Sequence, residues 1–513
     1  MVLAVSTPVL AQSAPVSTGR GWSPVAAVPQ FAADALPPYM VVDENRTVHA
    51  FASLPLSDDP TDPAAKERGI YYRQWTPEGG WSPINDILLT PLKQQARIKD
   101  VMLDKAGIIH LVFYGGDEQE ANIYYTWAPA AEAGSGHAWA EPLPIGPAAI
   151  TPEVAAIAGD GQDKLAVIYS GNLGEGNSLY VTYSDDAGVS WSDPATLFST
   201  YSLDNKVFDF DWHMGESGRL YAVWNVTNQN GQNLTGYYAK LDNLADRKWT
   251  EPVEIDKNVG LGIAIPAVTE YNGTVMLMYN NGLADTVSPV MWLKLSTDGG
   301  NRFSDPLRPF PDHIGRNGVI SFVQDSGGTL HVFWGQRIPG GYGENLDMHG
   351  MWHSTWDGAA WRPPVPVVSG PQSSEFDPYD ARAAVVQGNV ILLTWRTDPG
   401  REVSSSWYSS TVLDAPELPI KPLPTQLGSA AAASSLAAVL ATATPVVTAT
   451  AVPTSALTAA LTAQESQVRL DFSKQPGPAA AGNPGVPLLG AVVPTMFFVI
   501  AALLFGSLRR PKS

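Results

Sequence analysis

The sequence predicts an all-β body over residues 20–417, a ring of seven, alternatively six, four-stranded units of the β-propeller kind, with a disordered stalk and one transmembrane helix behind it. Three observations predict it. An aromatic–x–Pro motif recurs at near-constant spacing, paired alternating strands precede the later copies, and the composition favours turns and strands over helices.

Composition comes first because it bounds the rest. The chain of 513 residues is 10% aromatic and 16% charged and holds 46 Gly and 43 Pro. Aromatics suit half-buried pleated surfaces, and Gly and Pro punctuate short strands. Cysteine is absent, which excludes a disulfide framework and any thiolate metal site. The sequence implies no metal and no other cofactor.

The outer strand of each unit carries the clearest signal. Trp22-Ser-Pro, Trp81-Ser-Pro, Trp139-Ala-Glu-Pro, Trp191-Ser-Asp-Pro, Trp249-Thr-Glu-Pro, Phe303-Ser-Asp-Pro and Trp361-Arg-Pro follow one another at steps of 59, 58, 52, 58, 54 and 58 residues. Before the later copies stand strands with paired aromatic or apolar residues, such as Tyr71-Tyr72, Tyr124-Tyr125 and Tyr237-Tyr238, with a seventh at Trp407-Tyr408. A further alternating strand puts His49, His110, Ala166, Tyr221, Met276, His331 and Leu392 in equivalent places. Three positions on come Ala52, Phe113, Tyr169, Trp224, Tyr279, Trp334 and Trp395. The shared position makes His49, His110 and His331 packing residues rather than ligands. The seventh unit, 377–417, lacks its own Trp-x-Pro strand, while Trp22-Ser-Pro has no unit before it. The N-terminal strand is therefore expected to complete the last unit, which removes unpaired sheet edges. A six-unit count would require one of the seven to be spurious.

The two ends predict topology. Residues 2–14 resemble the apolar part and small-residue cleavage region of a signal peptide without its basic start, so 1–19 is expected to be a signal-peptide remnant or disordered. Residues 418–485 form an Ala/Thr/Pro-rich linker, poor in aromatics and expected to be extended. Residues 486–508 are apolar and long enough to cross a bilayer, and the tail 509–513 holds Arg509, Arg510 and Lys512. The expected topology is single-pass in the cell membrane, with the propeller extracytoplasmic and the C-terminus cytoplasmic. Residues 418–513 carry six basic and two acidic side chains, leaving 25 basic and 48 acidic before them. A body at −23 argues against nucleic acid or anionic lipid as its partner.

Two turns match S-x-D-x-G-x-x-[WF] in full: Ser184, Asp186, Gly188 and Trp191, then Ser296, Asp298, Gly300 and Phe303. Degenerate copies surround Trp361 and Trp81. Ser and Asp side chains can satisfy the turn's backbone donors, Gly accepts a positive φ, and the aromatic fills the gap between units. These turns resemble the Asp-box of sialidase-like (BNR-repeat) propellers, and the Trp-x-Pro strands spread the resemblance over 20–417. In that family the Asp-box lies on the face opposite the binding site, so Asp186 and Asp298 are expected to be structural.

The resemblance also says what a sialidase site would need: three arginines on a carboxylate, a Tyr/Glu pair as nucleophile and base, and an Asp as acid/base. Arg97, Arg316 and Arg382 start innermost strands, Arg337 and Arg396 end second strands on the same face, and Asp100 and Asp380 are nearby carboxylates. Tyr379 beside Asp380 and Tyr342 near Glu344 are the tyrosine candidates. The only Arg-Ile-Pro, at 337–339, falls late in the chain rather than near the first unit. The favoured function is a surface-displayed propeller that binds a glycan or another extracellular ligand, in part through the loop 335–350. The alternatives are an exo-sialidase-type glycoside hydrolase and a purely structural surface protein.

Overall fold

A computed structural model describes residues 17–423 apart from 32–35, 58, 60, 89–94, 117–120, 147–153, 175, 257–261, 282–289, 314, 338–348, 371–375 and 398–404. All of these lie in the first of two compact units of the chain, Met1–Leu440. The signal-like segment 2–14, the membrane segment 486–508, the tail 509–513 and nearly all of the stalk lie outside the described residues. Among the described residues no helix is long and apolar enough to cross a membrane.

The described chain is all-β, broken only by the short 3₁₀ turns Pro63–Lys66, Ala130–Glu132 and Gly136–Ala138. Antiparallel meanders succeed one another along it. Their innermost strands are Tyr39–Val42, Gln95–Leu103, Ala155–Gly159, Asn205–Met214, Ile263–Tyr271, Ser321–Gln324 and Pro378–Val386. We number the units one to seven in that order. Units one and two merge into a nine-stranded sheet through one parallel contact, Arg68 opposite Gln95. The N-terminus joins two units in turn: Ser17 and Thr18 pair with Ser369 and Val368 of unit six, then Ala26 and Ala27 pair with Tyr408 and Trp407 of unit seven. The expected pairing of the N-terminal strand with the last unit is thus present, and ordered pairing begins ahead of residue 20.

Packing explains the two-sided apolar pattern of the second strands. Phe113, Tyr169, Trp224, Tyr279, Trp334 and Trp395, aligned in the sequence, are all buried, because each sheet is covered on both faces. Every interface between successive units has its own apolar cluster. Unit seven also packs on unit one, where Val386, Val390 and Leu392 share a cluster with Val48 and Trp75. A buried Leu- or Val-sized side chain contributes about 1.5–3 kcal/mol, so these interfaces dominate the stability of the body.

The Asp-box turns do what their chemistry predicts. Ser184 Oγ donates to Asp186 Oδ1 at 2.8 Å, the Gly188 N–H donates to Ser184 Oγ at 2.8 Å, and Asp186 also accepts from Ser190. The second turn repeats this with Ser296, Asp298 and Gly300. Gly188 (φ 92°) and Gly300 (φ 80°) each abut the hydroxyl of a buried tyrosine from the preceding unit, Tyr125 and Tyr238, at a distance that leaves no room for a Cβ. Trp191 and Phe303 meet the same two rings edge-on at 5.0 Å.

The strand histidines are buried but are more than packing residues. His49 bonds Asp43 through Nε2 (3.0 Å) and the Tyr72 hydroxyl through Nδ1 (2.7 Å), while Asp43 also caps the Thr47 N–H. Asp104, His110 and Tyr125 repeat the relay, and Asp325 and His331 extend it to His353. The imidazoles of His49, His110 and His331 thereby have both nitrogens satisfied.

After unit seven the chain turns back across the ends of units seven, six and one. Leu418 N donates to Gln387 O, Lys421 N donates to Glu44 O, and Arg46 holds Glu417 at 2.6 Å and Leu418 O at 2.8 Å. The segment expected to begin the linker at 418 therefore continues on the body as a strap through Lys421.

Candidate functional site

The innermost strands are polar where a buried strand ought to be apolar, and their irregularities explain why. Register shifts fall between Ile98 and Asp100, Val207 and Phe210, Ala264 and Ala267, and Tyr379 and Arg382. The residues left over, including Lys99, Phe208, Asp209, Ile265, Pro266 and Asp380, line one cavity of about 850 Å³. A bulge re-aims the residue that it displaces, here towards the centre. Two of these residues sit at positive φ, Ile265 at 50° and Asp380 at 43°. For a β-branched residue such as Ile265 that conformation costs about 1–3 kcal/mol, and it is held by the Ile265 N–H donating to Asp209 Oδ2 at 2.9 Å.

Side chains of one unit fasten the backbone of the next around this cavity. Ser53 Oγ accepts from Ile98 N (2.7 Å), Asp100 Oδ2 from Ile157 N (3.0 Å), and Asp211 Oδ2 from Val268 N (2.9 Å). At the seam of units six and seven, Asp380 Oδ1 accepts from Val319 N and Ser321 Oγ from Ala383 N. These latches use N–H donors on the inner edge of each sheet, where no further strand pairs with them.

Of the residues singled out in the sequence, Arg97, Asp100, Tyr379, Asp380, Arg382 and Arg396 all line this cavity. Arg97 is exposed at its rim, with Nε donating to Gln95 Oε1 at 2.7 Å. Arg396 donates from Nε to Asp380 Oδ2 at 2.6 Å and lies 5.4 Å over the Tyr379 ring. Arg382 lies 3.5 Å over the Tyr39 ring and donates to Pro37 O, which ties unit seven to unit one. Arg316 and Arg337 are backbone partners at the end of unit six, and their side chains lie outside the description. Tyr342, Glu344 and most of the loop 335–350 lie outside it too. The described lining residues supply tyrosines and aspartates but no glutamate beside them.

The cavity also holds residues that the sequence reading passed over: Tyr39, Arg68, Lys99, Asp209, Phe210, Asp211 and Trp212. The alternation Asp209-Phe210-Asp211-Trp212 within a strand was the available signal, since carboxylates are costly in a strand covered on both faces. Burial pushes the Asp100 carboxyl up to about 6, against the N–H donors of Ile157 and Val101, the Arg382 charge and a hydrogen bond from Trp212. Burial pushes Asp211 up to about 7, and the Asp100 charge adds to the rise against donors from Val268 and Trp212. Arg382, Asp100, Trp212 and Asp211 thus form one electrostatic cluster drawn from units seven, two and four.

No known family matches the chain, and no curated protein does. Among solved structures it is similar to a Dyadobacter fermentans protein of unknown function, at 12% identity over 76% of this chain and 99% of that one, with a TM-score of 0.43. A polysaccharide lyase described as an ulvan lyase aligns at 11% identity over 74% and 95%, with a TM-score of 0.48. A Trypanosoma rangeli sialidase aligns at 11% over 76% and 60%, with a TM-score of 0.40.

Proposed function

We propose that the seven units are the blades of one closed, sialidase-like propeller, and that the mouth of its central cavity binds an acidic saccharide. The observation that carries the second part is the lining itself. Arg68, Arg97, Lys99, Arg382 and Arg396 share the cavity with Tyr39, Tyr379, Phe208, Phe210 and Trp212. Its four carboxylates, Asp100, Asp209, Asp211 and Asp380, are all engaged by donors of the protein. Planar guanidinium groups match a carboxylate, and aromatic faces match the C–H faces of a sugar ring. The body at −23 repels a polyanion from a distance, which favours a ligand with one carboxylate per recognised unit. The apolar segment at 486–508 would hold this site outside the cell, with the basic tail in the cytoplasm.

A second reading, an exo-sialidase-type hydrolase, is favoured by one observation. A carboxyl pushed up to about 7, as Asp211 is, keeps much of its proton at neutral pH and can deliver it to a leaving oxygen.

The test is titration calorimetry of the purified chain against N-acetylneuraminic acid, glucuronate and their neutral counterparts. Binding of an acidic sugar, weakened about tenfold or more in Arg97→Ala, is expected for a charge-assisted contact. Equal affinity for acidic and neutral sugars, or none for either, would overturn the proposal. Release of fluorophore from a fluorogenic sialoside, lost in Arg382→Ala, would favour the hydrolase. Binding without release would retire it.

A further inference from the structure

Beside the cavity mouth, units three and four carry a group of apolar side chains that folding leaves in water. Tyr201 is 83% exposed and Leu203 71%, with Leu173 and Phe208 also exposed. Leu173 lies in the turn after the strand Leu165–Gly171, Tyr201 and Leu203 lie on the loop 200–204, and Phe208 lies in the strand Asn205–Met214 that follows it, on the face from which Arg97 enters its strand.

These loops are fastened together. Asn177 N donates to Ser202 O and Thr200 N to Asn177 O, both at 2.9 Å. Asn177 Nδ2 donates to Leu203 O (3.0 Å) and Asn205 O (2.8 Å), and Thr200 Oγ1 donates to Ser202 O at 2.9 Å. Gly176 lies so close to Ser202 N that no Cβ fits between them. Tyr201 itself is held at a φ of 52°, a conformation rare for an aromatic residue, with its N–H donating to Ser199 Oγ at 3.1 Å. A loop whose backbone is held this firmly has much of its own ordering entropy removed before any ligand arrives.

The platform is continuous with the cavity. Asn205, bonded to both Asn177 and Thr200, is the first residue of the innermost strand Asn205–Met214. Three residues on, Phe208 lines the cavity under the Lys206 ammonium, 5.2 Å above its ring.

We infer that the Tyr201–Leu203 platform is a second subsite, which stacks an uncharged sugar ring joined to the acidic unit held at the mouth. The ligand class is therefore an acidic oligosaccharide rather than a free acidic monosaccharide. This rests on the proposed reading of the mouth. The cationic rim fixes the charged end of the ligand, and the adjoining platform, whose loop carries the exposed Asp204, disfavours a second carboxylate and suits the ring faces of an uncharged continuation.

The experiment compares N-acetylneuraminic acid with sialyllactose, and glucuronate with a glucuronate-terminated trisaccharide, on the full chain and on Tyr201→Ala and Tyr201→Phe. One stacked ring is expected to tighten the trisaccharide about tenfold over the monosaccharide. Tyr201→Ala should remove that gain and leave monosaccharide affinity unchanged, and Tyr201→Phe should keep it. A parent protein that binds monosaccharide and trisaccharide equally would overturn the subsite alone. So would Tyr201→Ala binding the trisaccharide as the parent does, or losing both ligands alike. A parent that binds none of the four sugars would overturn the mouth and the subsite together.

Discussion

Replacing Asp211 with asparagine isolates the cost of holding a carboxylate in the cavity. The amide oxygen still serves the Val268 N–H, 2.9 Å from Asp211 Oδ2, while the carboxylate's second bond, from the Trp212 N–H, is lost together with the charge. Burial raises this carboxyl from 3.8 to about 7. A displacement of that size corresponds to about 4 kcal/mol between the two protonation states. Water in the open cavity screens part of it and the lost Trp212 bond offsets about 1 kcal/mol more, so about 2 kcal/mol is expected to reach the stability of the folded chain. The folded carboxyl holds its proton more tightly than the unfolded one, so this contribution to stability falls as pH rises from about 4 through about 7. The penalty is complete at pH 8 and largely absent at pH 4. With about 1–2 °C per kcal/mol for a body of this size, Asp211→Asn is expected to melt about 3 °C above the parent at pH 8 and close to it at pH 4. Thermal unfolding followed by circular dichroism at the two pH values reads this directly. A variant that melts below its parent at pH 8, or differs from it equally at both, would refute the account of Asp211 as a buried charge.

Two further outcomes follow from the architecture. Asp186→Ala removes the acceptor of Ser184 and Ser190 and is expected to lower the melting temperature by about 2 °C, at about 1–1.5 kcal/mol, while saccharide affinity by calorimetry stays unchanged. A loss of affinity with the fold intact would place the Asp-box in the site. Arg46→Ala removes the Glu417 ion pair and the bond to Leu418 O, and a glutamate-specific endoprotease is expected to cut after Glu417 several-fold faster while the body resists, since release of the strap opens no core. Unchanged cleavage would show that the backbone bonds of Leu418 and Lys421 hold the strap alone.

What was legible in the sequence was whatever repeats. The Trp-x-Pro strands and the aligned Phe113, Trp224 and Trp395 mark outer and second strands because each unit solves the same packing problem. The Asp-box turns were legible because their bonds span only two to four residues. The site was half legible. Arg97, Arg382 and Arg396 point to the mouth by their place on the strands, but the contact of Arg382 with Tyr39 joins residues at opposite ends of the body and exists only where unit seven meets unit one. Asp211 and Asp209 were missed because a carboxylate in a strand acquires its direction from a bulge, and the bulge comes from pairing with the next strand rather than from local pattern. The strap was missed for a similar reason. Its bonds go to Gln387, Glu44 and Arg46, and nothing in 414–421 except composition marks those partners.

The same aspartates decide both how the units hold together and what sign of ligand the cavity favours. A carboxylate that accepts a neighbour's N–H, as Asp100, Asp211 and Asp380 do, has part of its charge answered by a donor fixed in place. Asp100 and Asp211, pushed up to about 6 and 7, are in addition partly protonated near neutral pH. Arginines keep their full charge at any physiological pH. Five cations and four compromised carboxylates therefore give the mouth a positive balance within a body whose formal charge is strongly negative. The bulges turn Lys99, Phe208 and Asp380 inward, and Asp380 is at once a bulge residue and the acceptor of the Val319 latch. A substitution that straightened the bulge between Tyr379 and Arg382 would move Asp380 off the Val319 N–H and out of the cavity lining in the same step, so at this strand the seam of units six and seven and the proposed site depend on one residue.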